Sequence, residues 1–371
     1  MAAEPLRSEL LTTIEELERL RGGWDELAVA AGRPGSAPAW LLAWARHMAP
    51  RPLRVRSAAT YSGSRLVGLA PYLVARRRDR VLRARPLGSG LTHRLAPLSA
   101  HAPRPAVLRE AARVLASSDP RPGVVSFEGI EEGSGALAAL VEGAGATGRA
   151  RSVHERALEA PTIRVASRSH AAWLASRSAQ FRQQVRSRGR KLAAAGAGFH
   201  VAEDGDGLRR GARALVELYG RRWPGRRSLA GPALEATLVA AGDELLDDGR
   251  LRLWTLEAGG RVVSAQLFLA AGGEVSYWGG AFDPAWAEHT PGLLTVLAGI
   301  EDAFVRGAAR VDLGGGAHPY KRRLADGADR LAWVSVLPQR PGQRAAWMAT
   351  ELAHASRRVR AGVRELLPFR R

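Results

Sequence analysis

Apolar positions in the first half of the chain change between helical spacing and short continuous runs. Residues 24–48 have helical spacing with a Pro/Gly interruption at 33–38. Two apolar runs separated by Ser62-Gly63-Ser64 are typical of a hairpin. The pattern predicts strands at 53–61, 65–74, 81–87 and 124–127, helices at 104–117 and 135–143, and an extended segment at 151–165.

The second half repeats this order of elements. One long helix is predicted over 170–195, ending at Gly196 and Gly198. Another helix begins at Thr290-Pro291, because proline is favoured in a first turn. That helix covers residues 292–306. The other elements are helices at 208–222 and 232–246, strands at 199–202, 251–257, 261–270, 274–282, 310–313 and 331–337, and a basic helix at 342–367.

This order predicts an α+β fold of two related units, each with a mixed, mainly antiparallel sheet flanked by helices. A chain of 371 residues is too long for one ordinary core. We predict an N-terminal unit over 1–165, a second unit over 166–340 and a basic C-terminal helix over 341–371.

Composition limits the class of protein. Hydrophobic residues make up 46% and charged residues 25%, as in ordinary globular domains. The absence of cysteine excludes disulfides, thiol nucleophiles and cysteine-bound metals. Residues 1–20 do not resemble a signal peptide, and no run approaches 18 apolar residues, so we expect a cytoplasmic protein without a transmembrane helix.

The charge indicates a negatively charged partner. The net charge is +19, which suits a phosphorylated cosubstrate, a nucleic acid or an anionic membrane surface, although general arginine richness is the alternative explanation. Only two of the 55 basic residues are lysines, Lys191 and Lys321. A lysine kept among so many arginines suits a position that needs a compact point charge.

Candidate chemistry concentrates between residues 261 and 323. Glycine inside a strand, as at Gly279 and Gly280, often marks a bulge or the close approach of a ligand. Asp283, Glu288 and His289 precede a helix whose free first-turn N–H groups suit an anion. An ordinary strand–loop–helix connection is the structural alternative.

Two further segments carry basic residues. Arg182, Arg186 and Arg190 share one face of a predicted helix, and an anionic partner would relieve their repulsion. A solvated basic face is the alternative, and it is the favoured reading for the arginines of residues 357–364. Near the C-terminal end of the second unit, a short strand runs through Asp312 into three glycines and then Tyr320-Lys321.

The ordered motifs resemble the CelD-like acetyltransferases of the GNAT superfamily, which are relatives of FemABX-type aminoacyl transferases. The resemblance is clearest over residues 172–323. It is carried by Tyr277, Asp283-Pro284, Pro291-Gly292, Gly307, Asp312-Leu313-Gly314-Gly315-Gly316 and Tyr320-Lys321-Arg322. It implies tandem GNAT folds, acyl-CoA as the donor without a permanently bound cofactor, and an amine or hydroxyl of a small molecule, sugar or polysaccharide precursor as the acceptor.

The resemblance also implies positions for the donor. The pantetheine would lie along residues 275–281, and the pyrophosphate would meet the helix that begins near Pro291. Residues 287–290, Ala-Glu-His-Thr, stand where the superfamily has a loop of alternating Arg/Gln and Gly, which leaves room for another activated donor. The donor-binding candidates are Trp278, Gly279, Gly280, Thr290, Pro291, Gly292, Arg186 and Lys191, and the acceptor-binding candidates are Asp283 and His289.

Direct acyl transfer requires a base, an acid and a group that stabilises the oxyanion. Asp312 is the first candidate for the base or for an acceptor anchor, with Asp283, Glu288 and His289 as alternatives. Tyr277 or Tyr320 would be the acid, and Lys321 would hold an anion or stabilise developing negative charge. The N-terminal unit lacks these motifs and is expected to be structural, lining the cleft at most.

Three other functions remain open at the level of sequence. One is aminoacyl transfer from charged tRNA, which the basic helix favours and the lack of a coiled-coil arm disfavours. The others are anion binding without catalysis and peripheral membrane binding through residues 342–371. No metal site is predicted.

Overall fold

A computed structural model describes residues 5–76, 81–100, 104–146, 150–223 and 231–338, together with Met348. The basic helix expected at 342–367 lies outside these ranges except for that one residue. In the N-terminal half the helices are α1 (Ile14–Arg19), α2 (Arg21–Ala30), α3 (Pro38–His47), α4 (Pro105–Ser117) and α5 (Ala136–Gly145). The strands there are β1 (Leu6–Leu11), β2 (Ser57–Ser62), β3 (Arg65–Ala70), β4 (Tyr72–Arg76), β5 (Leu82–Pro86), β6 (Leu98–Ser99), β7 (Val124–Glu131) and β8 (Ala150–Arg164).

The C-terminal half has the same mixture of helices and strands. Its helices are α6 (His170–Ala175), α7 (Ala179–Ala194), α8 (Gly205–Arg222), α9 (Pro232–Leu245), α10 (Pro291–Val305) and α11 (Pro319–Leu324). Its strands are β9 (Gly198–Val201), β10 (Leu251–Ala258), β11 (Arg261–Ala271), β12 (Glu274–Phe282), β13 (Arg310–Asp312) and β14 (Gly327–Pro338). One 3₁₀ turn precedes α3 (Pro34–Ser36) and another precedes α10 (Pro284–His289).

Most predicted elements are present, but the long helix expected over 170–195 is wrong. The chain forms α6 and α7 instead, with a break at residues 176–178. Ser169 caps α6 by accepting from the Ala172 N–H, and Ser178 caps α7 by accepting from the Phe181 N–H. Serine side chains stabilise helix N-termini in this way, so a second serine cap inside the helical pattern was the signal for the break.

The last strand joins the two halves into one sheet. The order of this ten-stranded sheet is β4-β5-β7-β14-β8-β13-β12-β11-β10-β9, and β1-β2-β3-β6 form a second sheet. β14 lies antiparallel between β7 and β8 of the N-terminal half. Each half has one parallel pair across a helix, β5 with β7 and β12 with β13. The predicted unit boundary at residue 165 therefore falls within a continuous sheet, and the boundaries themselves remain a prediction.

One hydrophobic core also crosses between the halves. Trp24 and Trp40 are fully buried in the same cluster as Leu208, Leu238 and Leu253. This shared burial fixes the N-terminal half against the second half, which matters for the site described below. No helix among the described residues is both long enough and apolar enough to cross a bilayer.

Helix α10 packs too closely on the sheet to accept a larger residue at Gly299. A β-carbon there would lie 2.2 Å from the Phe268 ring, whereas at Gly189 of α7 it would meet nothing within 4 Å. We expect Gly299→Ala to lower the free energy of unfolding by about 1–3 kcal/mol through overpacking. Gly189→Ala should raise it by roughly 0.5–1 kcal/mol through helix propensity. Urea denaturation checks both, and equal midpoints for the two variants would contradict the packing.

Candidate functional site

A crevice opens where β12 and β13 stop pairing. The two strands pair over only three positions, from Glu274 with Arg310 to Ser276 with Asp312. Directly after these, Trp278 forms a bulge in β12, because Leu267 of β11 pairs with Gly279 and the next residue pairs with Tyr277. A bulge bends its strand and redirects side chains. The crevice is lined from both halves, by Arg33, Pro34, Gly35, Thr92, His93, Arg94, Leu269, Ser276, Tyr277, Trp278, Asp312 and Gly314.

Asp312 lines this crevice, and both of its carboxylate oxygens already accept hydrogen bonds from the protein. Its Oδ2 accepts from Arg94 Nε at 2.7 Å, and its Oδ1 accepts from the Gly314 N–H at 2.9 Å. Burial acts to raise the pKa of Asp312, but the Arg94 guanidinium, the Gly314 N–H and the Arg310 charge together outweigh it and hold that pKa below its usual value. A carboxylate stabilised in this way is a weak proton acceptor.

Arg94 belongs to a chain of ion pairs that fastens the two halves together. Its Nη2 donates to Asp329 of β14 at 2.5 Å. Arg310 of β13 bridges the same carboxylate at 2.9 Å and Glu274 of β12 at 2.8 Å. The network connects the Arg94 loop to β12, β13 and β14, and so it fixes the positions of the crevice walls. Removing one member would leave a buried charge unpaired, which is strongly destabilising.

Lys321 of α11 points back into the glycine turn after Asp312. Gly314 has φ of 76° there, which a residue with a side chain adopts only with strain. Lys321 Nζ donates to the carbonyl oxygens of Gly314 and Gly315, both at 3.2 Å. Burial lowers the pKa of Lys321 to about 8, although the nearby Asp312 acts to raise it. An ammonium has three N–H donors, so one remains for a substrate.

The N-terminal half contributes His93, which the sequence analysis missed. A β-carbon at Gly129 of β7 would lie 1.8 Å from the His93 carbonyl oxygen, so glycine allows this loop to approach. A β-carbon at Gly315 would lie 3.1 Å from His93 Nδ1, which places the imidazole against the Lys321 turn. Burial, with the positive charge of Lys321, lowers the pKa of His93. The imidazole makes no hydrogen bond to any described residue, and it is neutral at neutral pH.

The two tyrosines predicted as acids lie beside each other, and Tyr277 lines the crevice. The Tyr277 hydroxyl donates to Gln266 Oε1 at 2.7 Å, and the Gln266 amide donates to Ser264 Oγ at 3.0 Å. Burial raises the pKa of Tyr277 and of Tyr320. Both are therefore neutral phenols at neutral pH. The hydroxyl proton of Tyr277 is already used in its hydrogen bond to Gln266.

Packing within the protein accounts for several residues predicted to bind the donor. A β-carbon at Gly280 would lie 2.0 Å from Gln266 Oε1, and one at Gly292 would lie 2.7 Å from the Phe282 ring. Trp278 donates from Nε1 to the Leu91 carbonyl at 2.8 Å. At Gly279, by contrast, a β-carbon would meet nothing within 4 Å. Of the three glycines, only Gly279 has open space where a β-carbon would lie, and Trp278 lines the crevice.

Unsatisfied polar groups surround the N-terminus of α10. Thr290 has φ of 52° and caps nothing, and its hydroxyl is buried without a hydrogen-bond partner among the described residues. His289 Nδ1 is buried and unpartnered in the same way. Pro291 occupies the first helical position, and the N–H groups of a first turn have no partner within their helix.

Arg222, at the end of α8, is a second functional candidate that the sequence analysis missed. Its guanidinium lies 4.1 Å from the centre of the Phe282 ring and makes no ion pair within the described chain. The neighbouring Arg221 lies 3.5 Å from Asp283, whose Oδ1 also accepts from the Ala285 N–H. Asp283 thus caps the 3₁₀ turn, and its predicted contact with the acceptor stays a prediction. Glu288 is exposed and lies 3.4 Å from His289.

The basic helix α7 lies apart from the crevice lining. Arg182 donates to the carbonyl oxygens of Ala175 and Arg177, so it holds the end of α6 and does not form a shared free face with the next arginines. Arg186 and Lys191 are exposed and have no ion partner among the described residues. Their predicted contact with the donor is untested.

Comparisons with known proteins agree with this architecture. Residues 179–322 match the family described as "Acetyltransferase (GNAT) domain". The crystal structure of FemX superposes with a TM-score of 0.57 at 12% identity, covering 88% of this chain and 96% of FemX. The structure of L-PGS from Bacillus licheniformis gives 0.53 at 15% identity, covering 92% and 96%. A DUF2156 domain from Agrobacterium fabrum gives 0.56 at 11% identity, covering 90% and 95%.

These identities are low, so the similarity to solved structures is one of fold. No curated protein sequence matches the chain. The predicted α+β fold, with GNAT-like architecture and a mixed, mainly antiparallel sheet flanked by helices, is confirmed. The match to the GNAT domain model covers residues 179–322 of the second half.

Proposed function

We propose that the protein transfers an acyl group, with acetyl the simplest case, from acyl-CoA to an amine or hydroxyl acceptor. The observation that carries this proposal is the crevice between β12 and β13, with the Lys321 ammonium on one side and the α10 N-terminus beyond the bulge. An acyl-CoA held in the crevice would have the Lys321 ammonium beside its thioester carbonyl oxygen. The positive end of the α10 dipole would lie beside its phosphates.

The donor's pantetheine would lie along the bulged part of β12, past the open space at Gly279. Its diphosphate would meet the first turn of α10, where the Thr290 hydroxyl and His289 Nδ1 lack partners. Arg222 would supply the positive charge that the superfamily's usual loop provides. Guanidinium groups bind phosphate in planar, bidentate geometry, which suits this role.

The chemistry follows from the groups around the crevice. The acceptor nitrogen or oxygen attacks the thioester carbonyl carbon, and its proton passes to the neutral His93. The resulting oxyanion is stabilised by the third N–H of Lys321. The carbon–sulfur bond then breaks, and the thiolate takes a proton from Tyr320. Asp312 serves as the anchor of Arg94 and of the glycine turn, which replaces its expected role as the base.

Calorimetric titration with acetyl-CoA and longer acyl-CoAs tests the donor. We expect binding that weakens at least roughly tenfold in Arg222→Gln, the loss of one charged hydrogen-bonding group. Arg209→Gln is the matched control, because Arg209 lies on the same helix, is exposed and pairs only with Asp206 within the described chain. Absence of binding by every acyl-CoA would overturn the proposal.

Aminoacyl transfer from charged tRNA is the second candidate. Arg186, Arg188, Arg190 and Lys191 on α7 have no ion partner among the described residues, and a helix without acidic residues suits a polyanion. FemX and L-PGS are similar in fold, which is compatible with this alternative. Its signature would be tRNA binding that weakens steeply between two salt concentrations. For acyl transfer, the acceptors to be assayed with the acyl-CoA that binds best include sugars and polysaccharide precursors, which a CelD-like enzyme would use.

A further inference from the structure

The N-terminal half contains a cavity of ≈ 270 Å³ that no predicted site residue lines. It lies between the end of α2, β6, the end of β7, and helices α4 and α5. Its walls are mostly apolar and include Ala31, Leu98, Leu108 and Leu140, and Arg33 and Glu131 are among its polar members. A water occupies about 30 Å³ of liquid, so the cavity has room for a small apolar group.

Arg33 connects this cavity to the crevice, because it lines both. Only 18% of its side chain is exposed, yet its guanidinium donates no hydrogen bond within the described chain. Its ion-pair partner among the described residues is Glu131, at 3.6 Å from Nη2, and the Glu274 carboxylate attracts the guanidinium more weakly. Arg94 Nη1 is also buried without a hydrogen bond, 3.8 Å from the same Glu131 oxygen.

Two guanidinium groups with unused donors therefore face one loosely held carboxylate. The Glu131 side chain is 39% exposed, so it can turn toward solvent and leave its place to another carboxylate. Such an exchange keeps the local charge balanced, and a guanidinium fork matches a carboxylate in shape. Burial lowers the pKa of Arg33, which agrees with a cation that lacks full compensation.

We propose that this cavity and Arg33 bind the acyl acceptor, and that the acceptor is an α-amino acid with an apolar side chain. Its carboxylate lies on Arg33 and Arg94 Nη1, its side chain fills the apolar cavity, and its amine enters the crevice beside His93. The inference rests on the proposed acyl transfer and gives that reaction its substrate class. It also assigns to the N-terminal half a binding role beyond the structural one expected from sequence.

Calorimetry with L-phenylalanine and L-leucine tests the acceptor, separately from the acyl-CoA titration. Each amino acid is titrated into the free protein and into protein saturated with CoA, so that an ordered sequence of binding is covered. We expect binding that weakens at least roughly tenfold for the matching amino acid amides and in Arg33→Gln. Ala31→Leu, which narrows the cavity, should weaken L-phenylalanine more than L-leucine. Octanoate is the control ligand, since it has a carboxylate and an apolar chain but no amine.

Equal affinity for an amino acid and its amide would overturn the carboxylate contact, and this result needs no variant. Binding of octanoate but of neither amino acid would overturn the amino acid as the acceptor. If acyl-CoA binds and no amino acid does, the acceptor inference fails while the proposed function stands. If amino acids bind and no acyl-CoA does, the proposed function fails instead.

Discussion

Lys321→Met abolishes most transfer activity while leaving donor binding nearly unchanged; this is the first result we expect. Methionine keeps the length of the side chain but removes the N–H that would face the oxyanion. Loss of one such preorganised donor costs about 10²- to 10³-fold in kcat. Steady-state kinetics with the acyl-CoA that binds best measures the change, and calorimetry checks that binding persists.

The pH dependence assigns a protonation state to this lysine. If the ammonium is the active form, kcat of the native protein falls as pH rises through about 8, the lowered pKa of Lys321. A kcat that rises through pH 8, at the same pH for two acceptors of different basicity, would identify neutral Lys321 as a base and contradict its oxyanion role. Arg209→Met is the control, since Arg209 is an exposed cation on α8 that pairs with Asp206 and has no role in the proposed site.

The lowered pKa of Lys321 also predicts how the free energy of unfolding depends on pH. Because the folded pKa of about 8 lies below the ordinary 10.5, the charged form is penalised in the folded protein at pH values below 8. The penalty is about 3 kcal/mol at 1.36 kcal/mol per pKa unit, and it fades between pH 8 and 10.5. Lys321→Met should thus gain stability relative to the native protein at pH 7, less the two lost carbonyl contacts, and the gain should shrink toward pH 10.5.

Local patterns in the sequence predicted most elements and one wall of the site. Alternation and helical spacing are set by burial of one face, so β10, β11, β12 and α10 could be predicted within a few residues. Lys321 was found because lysine is rare in this chain and follows a glycine turn. The side chains of Asp312 and Lys321 both contact Gly314 of that turn, because only nine positions along the chain separate them.

The other wall depends on contacts that no local pattern contains. Arg94 reaches Asp312 across 218 positions, and β14 inserts between β7 and β8 only once the whole sheet has formed. His93 and Arg33 stand in loops without periodicity, so neither signals its role. Gly280 and Gly292 were expected beside a ligand, and the structure shows a packing reason for both glycines, because they accommodate Gln266 and Phe282. Their contact with the donor stays a prediction.

His93 provides the second large effect. We expect His93→Gln to lower kcat by about 10²- to 10⁴-fold, the usual contribution of a positioned general base. Glutamine keeps a polar side chain of similar reach but accepts no proton in this pH range. His200→Gln is the matched control, because His200 is exposed on β9.

The pH profile separates a proton acceptor from a residue that only packs. The pKa of His93 lies below the ordinary 6.5, so the native rate should rise with pH through that lower range and then level off. An amine acceptor adds a second step to the profile, because its own amine must lose a proton. Comparing two acceptors of different basicity separates this step from the one due to His93. The step from the acceptor moves with its pKa, whereas the step from His93 stays in place and disappears in His93→Gln. A low-pH step that persists in this variant would remove His93 from proton transfer, and since the Asp312 carboxylate is held by Arg94, the base would then have to come from the acceptor or from solvent.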